Sequence, residues 1–494
     1  MQEGVLAKME KTIPKSEPHT SFTKYQIYYI AFTAAWAGLC SPISNNIYLP
    51  ALNSLAEDLN VSSSLINLTI MSYMIFQGVA PMFVGDFADV VGRRPAYIFC
   101  FVLYTAANIG LALQNNYAAL FILRCMQSSG SSATVALSSG VVSDIATADK
   151  RGSYIGFVTA GTVLGPSIGP VVGGLLSQYL GWRAIFWFLT IMGGVFLVQF
   201  LLFFPETSRR IVGNGSLPPQ KWNLSAIDSL KAHNSKDPSP TPEPNTNASS
   251  RPKFHSPNPL PALRILFEKD TSLLLFINAI LFAGYYDLTA SMPYLLAQIY
   301  NYNDMQVGLC YIPIGAGCFI AAYLTGYLQD WNFRRTAHAL NIELVANRQT
   351  DLTTFPIEQA RVQVMVPPLV LGCLAVIGYG WAMHYEMHVA VPLVILFFCG
   401  LLLSIAFDTI KTLLVDYYPE KATTATAANN LCRCWLGAGA TALIVPMIDG
   451  MGRQWCFTFL GLVMLLASAP VVVVLKFGPR WREERRLRAL GAGS

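Results

Sequence analysis

Twelve apolar runs, each about long enough to cross a bilayer, leave this chain few folds to choose from. They fall at about 27–48, 65–85, 96–114, 118–142, 153–180 and 184–204, then at about 272–298, 307–328, 364–383, 389–415, 423–447 and 455–477. A helical span needs roughly 20 apolar residues. In hydrocarbon the backbone must satisfy its own polar groups, so only helices and closed barrels cross. The runs are continuous rather than alternating, which argues against a barrel. Composition agrees: of 494 residues 53% are hydrophobic and 12% charged, against about 25% charged in an average soluble domain. The expected fold class is an all-α membrane protein of twelve transmembrane helices.

The runs form two groups of six around a polar segment, residues 205–271, that contains SKDPSPTPEPNTNASSRP. Such composition cannot bury a core. The expected organisation is a cytoplasmic tail at 1–24, a six-helix half at 25–205, a disordered cytoplasmic linker at 206–271, a second half at 272–477 and a basic tail at 478–494. With the N-terminus inside, all but five of the 33 Lys and Arg lie on the cytoplasmic side or its tails. Arg183 and Arg453 lie outside, and Arg124, Lys411 and Arg433 lie within spans. This bias places both termini in the cytoplasm. The tail GPRWREERRLR is a topology anchor on that reading, with anionic lipid as an alternative partner. Asn60, in Asn-Val-Ser of the first outer loop, is a possible glycosylation acceptor. The ten cysteines match no zinc or disulfide spacing and read as small apolar residues.

GDFADVVGRRP, residues 85–95, returns as GYLQDWNFRRT, residues 326–336. Gly85, Asp89, Arg93 and Arg94 recur 241 positions later as Gly326, Asp330, Arg334 and Arg335. Asp144 at the end of span four has a counterpart in Asp416 at the end of span ten. GWR at 181–183 and MGRQW at 451–455 occupy equivalent outer turns. Duplicated halves of this kind mark a transporter. Gly85 and Gly92 allow a tight turn and close approach. The acid and the arginines then form a cytoplasmic gate that latches in one state and opens in the other. The plainer reading is a basic topology loop; two copies at one offset favour the gate.

These motifs resemble the major facilitator superfamily. GDFADVVGRRP is similar to that family's loop between spans two and three. LRCMQSSGSS (123–132) resembles the span-four motif of an Arg and a Gln before a Gly-rich turn. GTVLGPSIGPVVGG (161–174) resembles the span-five antiporter motif, and PETSR (205–209) the end of span six in fungal twelve-span drug:proton antiporters. SPISNNIYLPAL (41–52), FPIEQARV (355–362), YYPEKATTATAANNLCRCWLGAGA (417–440) and FGPRWREERR (477–486) are similar to fungal organic-acid exporters of the citrate and itaconate type. Three departures stand out. Ser128 follows Gln127 where Gly is frequent, and span one carries no acid. Gly161-Thr162-Val163 stands where citrate-exporting relatives carry an Arg.

In span five Gly161, Gly165, Gly169 and Gly173 recur every four residues and form one face for close helix packing. Pro166 and Pro170 remove backbone donors beside it and should bend the helix. The resemblance makes this stretch a seal against leak during exchange; plain packing is the alternative. A charge in the bilayer costs about 2.5–3.5 kcal/mol on insertion scales, so each one in a span calls for a reason. The resemblance makes Arg124, with Gln127 on the same face, a substrate-binding or proton-coupling residue, against a static helix contact. Arg433, beside Asn429 and Asn430, is a candidate anion site or an interhelical contact. Asp287, after Tyr285 and Tyr286, is a candidate proton carrier, and the two tyrosines could instead receive a flat lipophilic molecule. Asp408 and Lys411 share a face; they either neutralise each other or leave Asp408 as a second proton site. The stretch 339–349 could form a short helix on the inner membrane face.

No phosphate loop, metal constellation or nucleophile triad occurs, so the chain is not expected to be an enzyme or to hydrolyse ATP. The expected function is proton-coupled efflux of a small organic acid, secondary metabolite or drug-like compound across the plasma membrane. The proton gradient supplies the energy, with no cofactor and no nucleic-acid partner. The chain is expected to act as a monomer in the lipid bilayer, with its substrate and protons as partners. Uptake or facilitated diffusion by the same fold, and a non-transporting sensor, are the alternatives.

Overall fold

A computed structural model describes residues 20–145, 151–215, 217, 220, 223–225, 260–340, 356–418 and 422–491. The tail before residue 20, the centre of the linker and nearly all of 339–349 lie outside the described residues, and around Gly161 only the helical backbone is described. The first half contains α1 (Lys24–Asn46), α2 (Leu52–Asp58), α3 (Ser63–Val91), α4 (Arg93–Leu113), α5 (Tyr117–Ile145), α6 (Arg151–Leu180) and α7 (Arg183–Leu202). Short helices α8 (Arg209–Val212) and α9 (Leu260–Leu266) flank the linker. The second half contains α10 (Lys269–Tyr300), α11 (Asp304–Leu309), α12 (Tyr311–Ala339), α13 (Ile357–His384), α14 (Ala390–Tyr417), α15 (Ala422–Met451), α16 (Arg453–Ser468) and α17 (Val471–Gly491).

Each expected span is therefore a helix, and the twelfth is α16 continued by α17. Among the described residues ten segments are long and apolar enough to cross a membrane. The other two long helices are α5 and α6, of 29 and 30 residues. Serines in α5 lower its hydropathy because they point inward: Ser128, Ser131, Ser132 and Ser138 are all buried. Both prolines of α6 lie inside one unbroken helix.

Using the orientation that the basic residues predict, we call the end bearing Gly92 inner and the end bearing Asn60 outer. Within each half the spans touch through small residues. A Cβ at Gly130 of α5 would stand 2.7 Å from the Cys100 carbonyl oxygen and the Tyr104 nitrogen of α4. The glycine row of α6 faces α1, with Gly165 against Pro42 and Gly169 against Ile47 and Asn46. The opposite edge of α6 meets the second half, where Gly174 abuts Gly308 of α11.

The expectation of disorder throughout 206–271 fails at both ends. Glu206, Thr207, Ser208, Asn223 and Ser225 are buried against the first half, and Ile265 of α9 packs with Leu275, Leu414, Ala425 and Ala428. The physical reason lies in Glu206, whose carboxylate accepts from the backbone N–H groups of Arg93 (2.9 Å) and Arg94 (3.2 Å). A helix N-terminus offers unpaired donors and a positive dipole end, and Glu206 satisfies both. Asn223 Nδ2 donates to the same carboxylate at 2.8 Å and holds the chain there.

Gly130→Ala should lower stability by about 1–3 kcal/mol, because the added methyl meets backbone that cannot swing aside. Gly194→Ala, with nothing within 4 Å of the new methyl, should be neutral or slightly stabilising. Thermal unfolding of the detergent-purified chain checks the pair; equal midpoints would overturn the packing argument.

Candidate functional site: a buried arginine and a second cation centre across the interface

Arg124 is fully buried on α5. Its guanidinium lies between the rings of Tyr48 and Tyr73, 4.3 and 4.4 Å from their centroids. Nη1 donates to Gln127 Oε1 at 2.6 Å and to the Ser44 carbonyl at 3.4 Å. Gln127 Nε2 in turn donates to Asn108 Oδ1 at 2.6 Å, which fixes the amide so that its oxygen faces the arginine. Arg124 Nε and Nη2 have no hydrogen-bond partner, and no carboxylate among the described residues lies within ion-pair distance. A buried charge is normally paired; this one is held by two π faces and an amide.

A second cation centre lies across the interface. Arg433 of α15 donates from Nε and Nη2 to Asn430 Oδ1, at 3.1 and 2.9 Å, and lies 4.7 Å from the Phe282 ring centroid. Asp408 of α14 is close enough to interact electrostatically with Lys411 and Arg433. No ion pair under 4 Å joins Asp408 to Lys411, so the two interact only at longer range. Tyr286 connects the centres. Its hydroxyl accepts from Asn45 Nδ2 at 2.8 Å, and it lies near both Tyr73 and Arg433. Asn45 and Tyr286 are 241 residues apart, the offset of the inner loops, so equivalent positions of the two halves touch. Tyr285 turns away toward Cys318, 3.4 Å from its hydroxyl.

Asp287 does not join this group. One residue beyond Tyr286 on a helix is about 100° around it, and that turn points Asp287 toward Cys456 of α16. It is 2% exposed and its Oδ1 has no hydrogen-bond partner.

The inner loops correct the sequence reading. Gly92 has φ +120°, which ends α3 and starts α4 without a linker. Arg93 then reaches Asp89 (2.9 Å) and Asp144 (3.0 Å). Arg94 instead donates to the Leu201 carbonyl at 3.1 Å. Gly85 and Gly326 have nothing within 4 Å of a would-be Cβ, so neither serves a close approach here. The second copy forms no latch in this arrangement. α12 runs unbroken to Ala339, with Phe333 where the first half has Gly92. Asp330, Arg334 and Arg335 are exposed along it, Arg335 lying 5.4 Å from the Trp331 ring. Their place is taken by Arg361 at the start of α13, which pairs with Asp416 at 3.0 Å and donates to Gln329 Oε1 at 3.1 Å. The missed residue carried a signal: Arg361 precedes Asp416 by 55 positions, much as Arg93 precedes Asp144 by 51.

At the outer end the halves are tied together. Asp304, at the start of α11, accepts from Ser54 Oγ at 2.6 Å and from Ser177 Oγ. Asn53 Nδ2 donates to the Pro293 carbonyl at 2.8 Å. Within each half an arginine closes the outer loops. Arg183 reaches Asp58 (3.1 Å) and Asn115 (2.8 Å), while Arg453 reaches Glu386 and Gln298, each at 3.2 Å. Asn60 is exposed at this end in a left-handed turn. Among the described residues no three His, Cys, Asp or Glu side chains come together to hold a metal.

Two six-helix halves, buried charges at their interface and a closed outer end define a secondary transporter. The family model described as Major Facilitator Superfamily matches residues 34–442, and the chain belongs to that family. It is 40% identical to the MFS-type transporter tstD of Talaromyces stipitatus over 96% of this chain and 86% of that one. It is 36% identical to Citrate exporter 1 of Aspergillus niger over 98% of this chain and 93% of that one. The fold is similar to the partially occluded inward open conformation of the xylose transporter XylE from E. coli, with a TM-score of 0.63 and 14% identity over 92% of this chain and 98% of that one.

Arg361→Ala should reduce transport at least tenfold, as Arg93→Ala should, while Arg334→Ala and Arg335→Ala stay within twofold of the native rate. Initial rates in vesicles at matched protein levels check the four variants. Equal losses in Arg334→Ala would restore the repeat as a second latch.

Proposed function

We propose that this chain exports a small organic anion, an organic acid or an acidic secondary metabolite, across the plasma membrane in exchange for protons. The observation that carries the reading is Arg124, a fully buried cation with two free donors and no carboxylate beside it. A carboxylate of the substrate would supply the missing partner, with charge-assisted hydrogen bonds to Nε and Nη2. Arg433 and Lys411 would offer positive charge to the substrate's other end, with Asp408 in electrostatic reach of both. The relatives support the same class: Citrate exporter 1 is named for exporting an organic acid.

Protons would be carried by Asp287, whose buried carboxyl has no cation partner, and by Asp408. Acid outside and neutrality inside would load these groups in the outward state and unload them in the inward one. With the outer end tied shut, the present arrangement would be the one that takes substrate from the cytosol. The arginine and aspartate pairs at the inner ends of each half would hold the bundles rigid as they rock.

Inside-out vesicles carrying the protein test the reading. Radiolabelled citrate, itaconate and an acidic fungal metabolite should accumulate when the lumen is made acid and not when the gradient is collapsed. Arg124→Ala should cut the rate at least tenfold, and Asp287→Asn should abolish the dependence on the gradient. Flux indifferent to the gradient would overturn proton exchange; a neutral solute accumulating where none of the anions does would overturn the anion reading.

A further inference from the structure

Pro81 lies inside α3. A proline has no N–H, so the carbonyl four residues earlier loses its helical partner. That carbonyl belongs to Gln77, and Asn430 Nδ2 of α15 donates to it at 2.9 Å. The bond crosses from one half to the other. Among the described residues the other hydrogen bonds between the halves lie further out, at Asn45–Tyr286, Thr441–Met74, Asn53–Pro293, Tyr179–Met305 and the Asp304 pair. Asn430 thus closes the innermost of them. The backbones are close here, since a Cβ at Gly78 would stand 3.2 Å from Cys434 Cβ and 3.4 Å from Leu431 Cα.

The other end of the same amide, Asn430 Oδ1, accepts both hydrogen bonds from Arg433. One side chain therefore answers an orphan carbonyl in the first half and orients a cation in the second. We propose that Asn430 is a coupling residue, which links the occupancy of Arg433 to the seam between α3 and α15. A carboxylate that draws Arg433 to itself withdraws the donors polarising the amide, and hydrogen bonds in a chain strengthen one another. The bond to Gln77 weakens and the seam loosens. Conversely, parting α3 from α15 frees the amide and changes the aim of Arg433. Linkage makes the two effects reciprocal. The substrate half of this inference rests on the anion reading above; the link between Asn430 and the seam does not.

The test uses the full chain and two readouts. Hydrogen exchange without ligand follows the inner part of α15, residues 422–433, and vesicle transport of citrate gives KM and maximal rate. Asn430→Ala should speed exchange there about twofold to tenfold, the worth of one hydrogen bond, and raise KM for citrate by a similar factor. Pro81→Ala restores an N–H to the Gln77 carbonyl and leaves Asn430 and Arg433 in place. It should reproduce part of the faster exchange and shift KM for citrate with it, because freeing the amide changes the aim of Arg433; faster exchange at the native KM would overturn the coupling. A raised KM in Asn430→Ala with native exchange would reduce Asn430 to a prop for Arg433 and overturn the coupling, as would native values of both. If the native protein moves no citrate, the anion reading fails, and the exchange comparison of the two variants still decides whether Asn430 holds the seam.

Discussion

Two helices surrounded by lipid tails gain nothing by hiding apolar surface from water, so their contact rests on how closely their backbones can meet. That constraint shapes this molecule. Gly130 lies on the backbone of α4, Gly173 on the Ile47 carbonyl of α1, Gly317 on the Phe397 carbonyl of α14, and Gly400 on the Ile314 carbonyl of α12. Each contact is with main chain and each lies within one half. Between the halves, approaches of this kind occur at Gly174 with Gly308, at Gly315 with Ser167 and at Gly78 with α15. The result is two bodies that meet along α6 with α11 and α12 and along α3 with α15, the seams on which one would rock against the other.

The same job is done in each half, by different residues. At the inner end of the first half the acid Glu206 follows α7 and grips the N-terminus of α4. In the second half the acid, Glu358, is on the first turn of α13, and the base, Arg482, comes from α17, 3.8 Å away. At the outer end, Arg183 and Arg453 each bind one group near the first loop of their half and one near the third, with acid and amide exchanged between the two places. What is kept between the halves is the pairing of helix ends. Electrostatics allows that freedom, because a charge pair holds two ends together whichever end supplies the sign.

This freedom explains what could be read from the chain and what could not. The twelve helices and the division into halves were legible, because apolar length is a local property. Arg124 and Gln127 stood out for the same reason: a charge within an apolar run is visible wherever it points. The second gate misled, because a repeat in letters is not a repeat in geometry. Without a residue like Gly92 to end the helix, Arg334 and Arg335 continue along a solvated face. Arg361 lay in a stretch already compared with other exporters, and only its distance from Asp416 marked it. Asp287 was found as a residue but not as a location, since one step along a helix changes its neighbour from Tyr286 to Cys456. The docking of Asn223 on Glu206 left no mark in composition, which speaks for a segment as a whole and not for its first twenty residues.

The position of Asp287 bears on how protons and substrate could be coupled, if the proposed exchange is correct. Arg124 is in the first half, and Asp287 lies about a quarter turn around α10 from Tyr286, within electrostatic reach of Cys456 on α16. A proton on Asp287 cannot then compete with a substrate carboxylate for the same guanidinium. Coupling through that residue has to act on the conformational equilibrium, by changing what α10 gains from packing on α16 in each state. Asp408 is placed differently, within electrostatic reach of both Lys411 and Arg433. An ionised Asp408 would attract those cations, and a protonated one would leave them to a substrate anion. On the proposed exchange, direct competition and conformational linkage would then reside in two separate carboxylates. Of the two, only Asp408 can make affinity itself depend on the proton, because only it shares its cations with the anion to be carried.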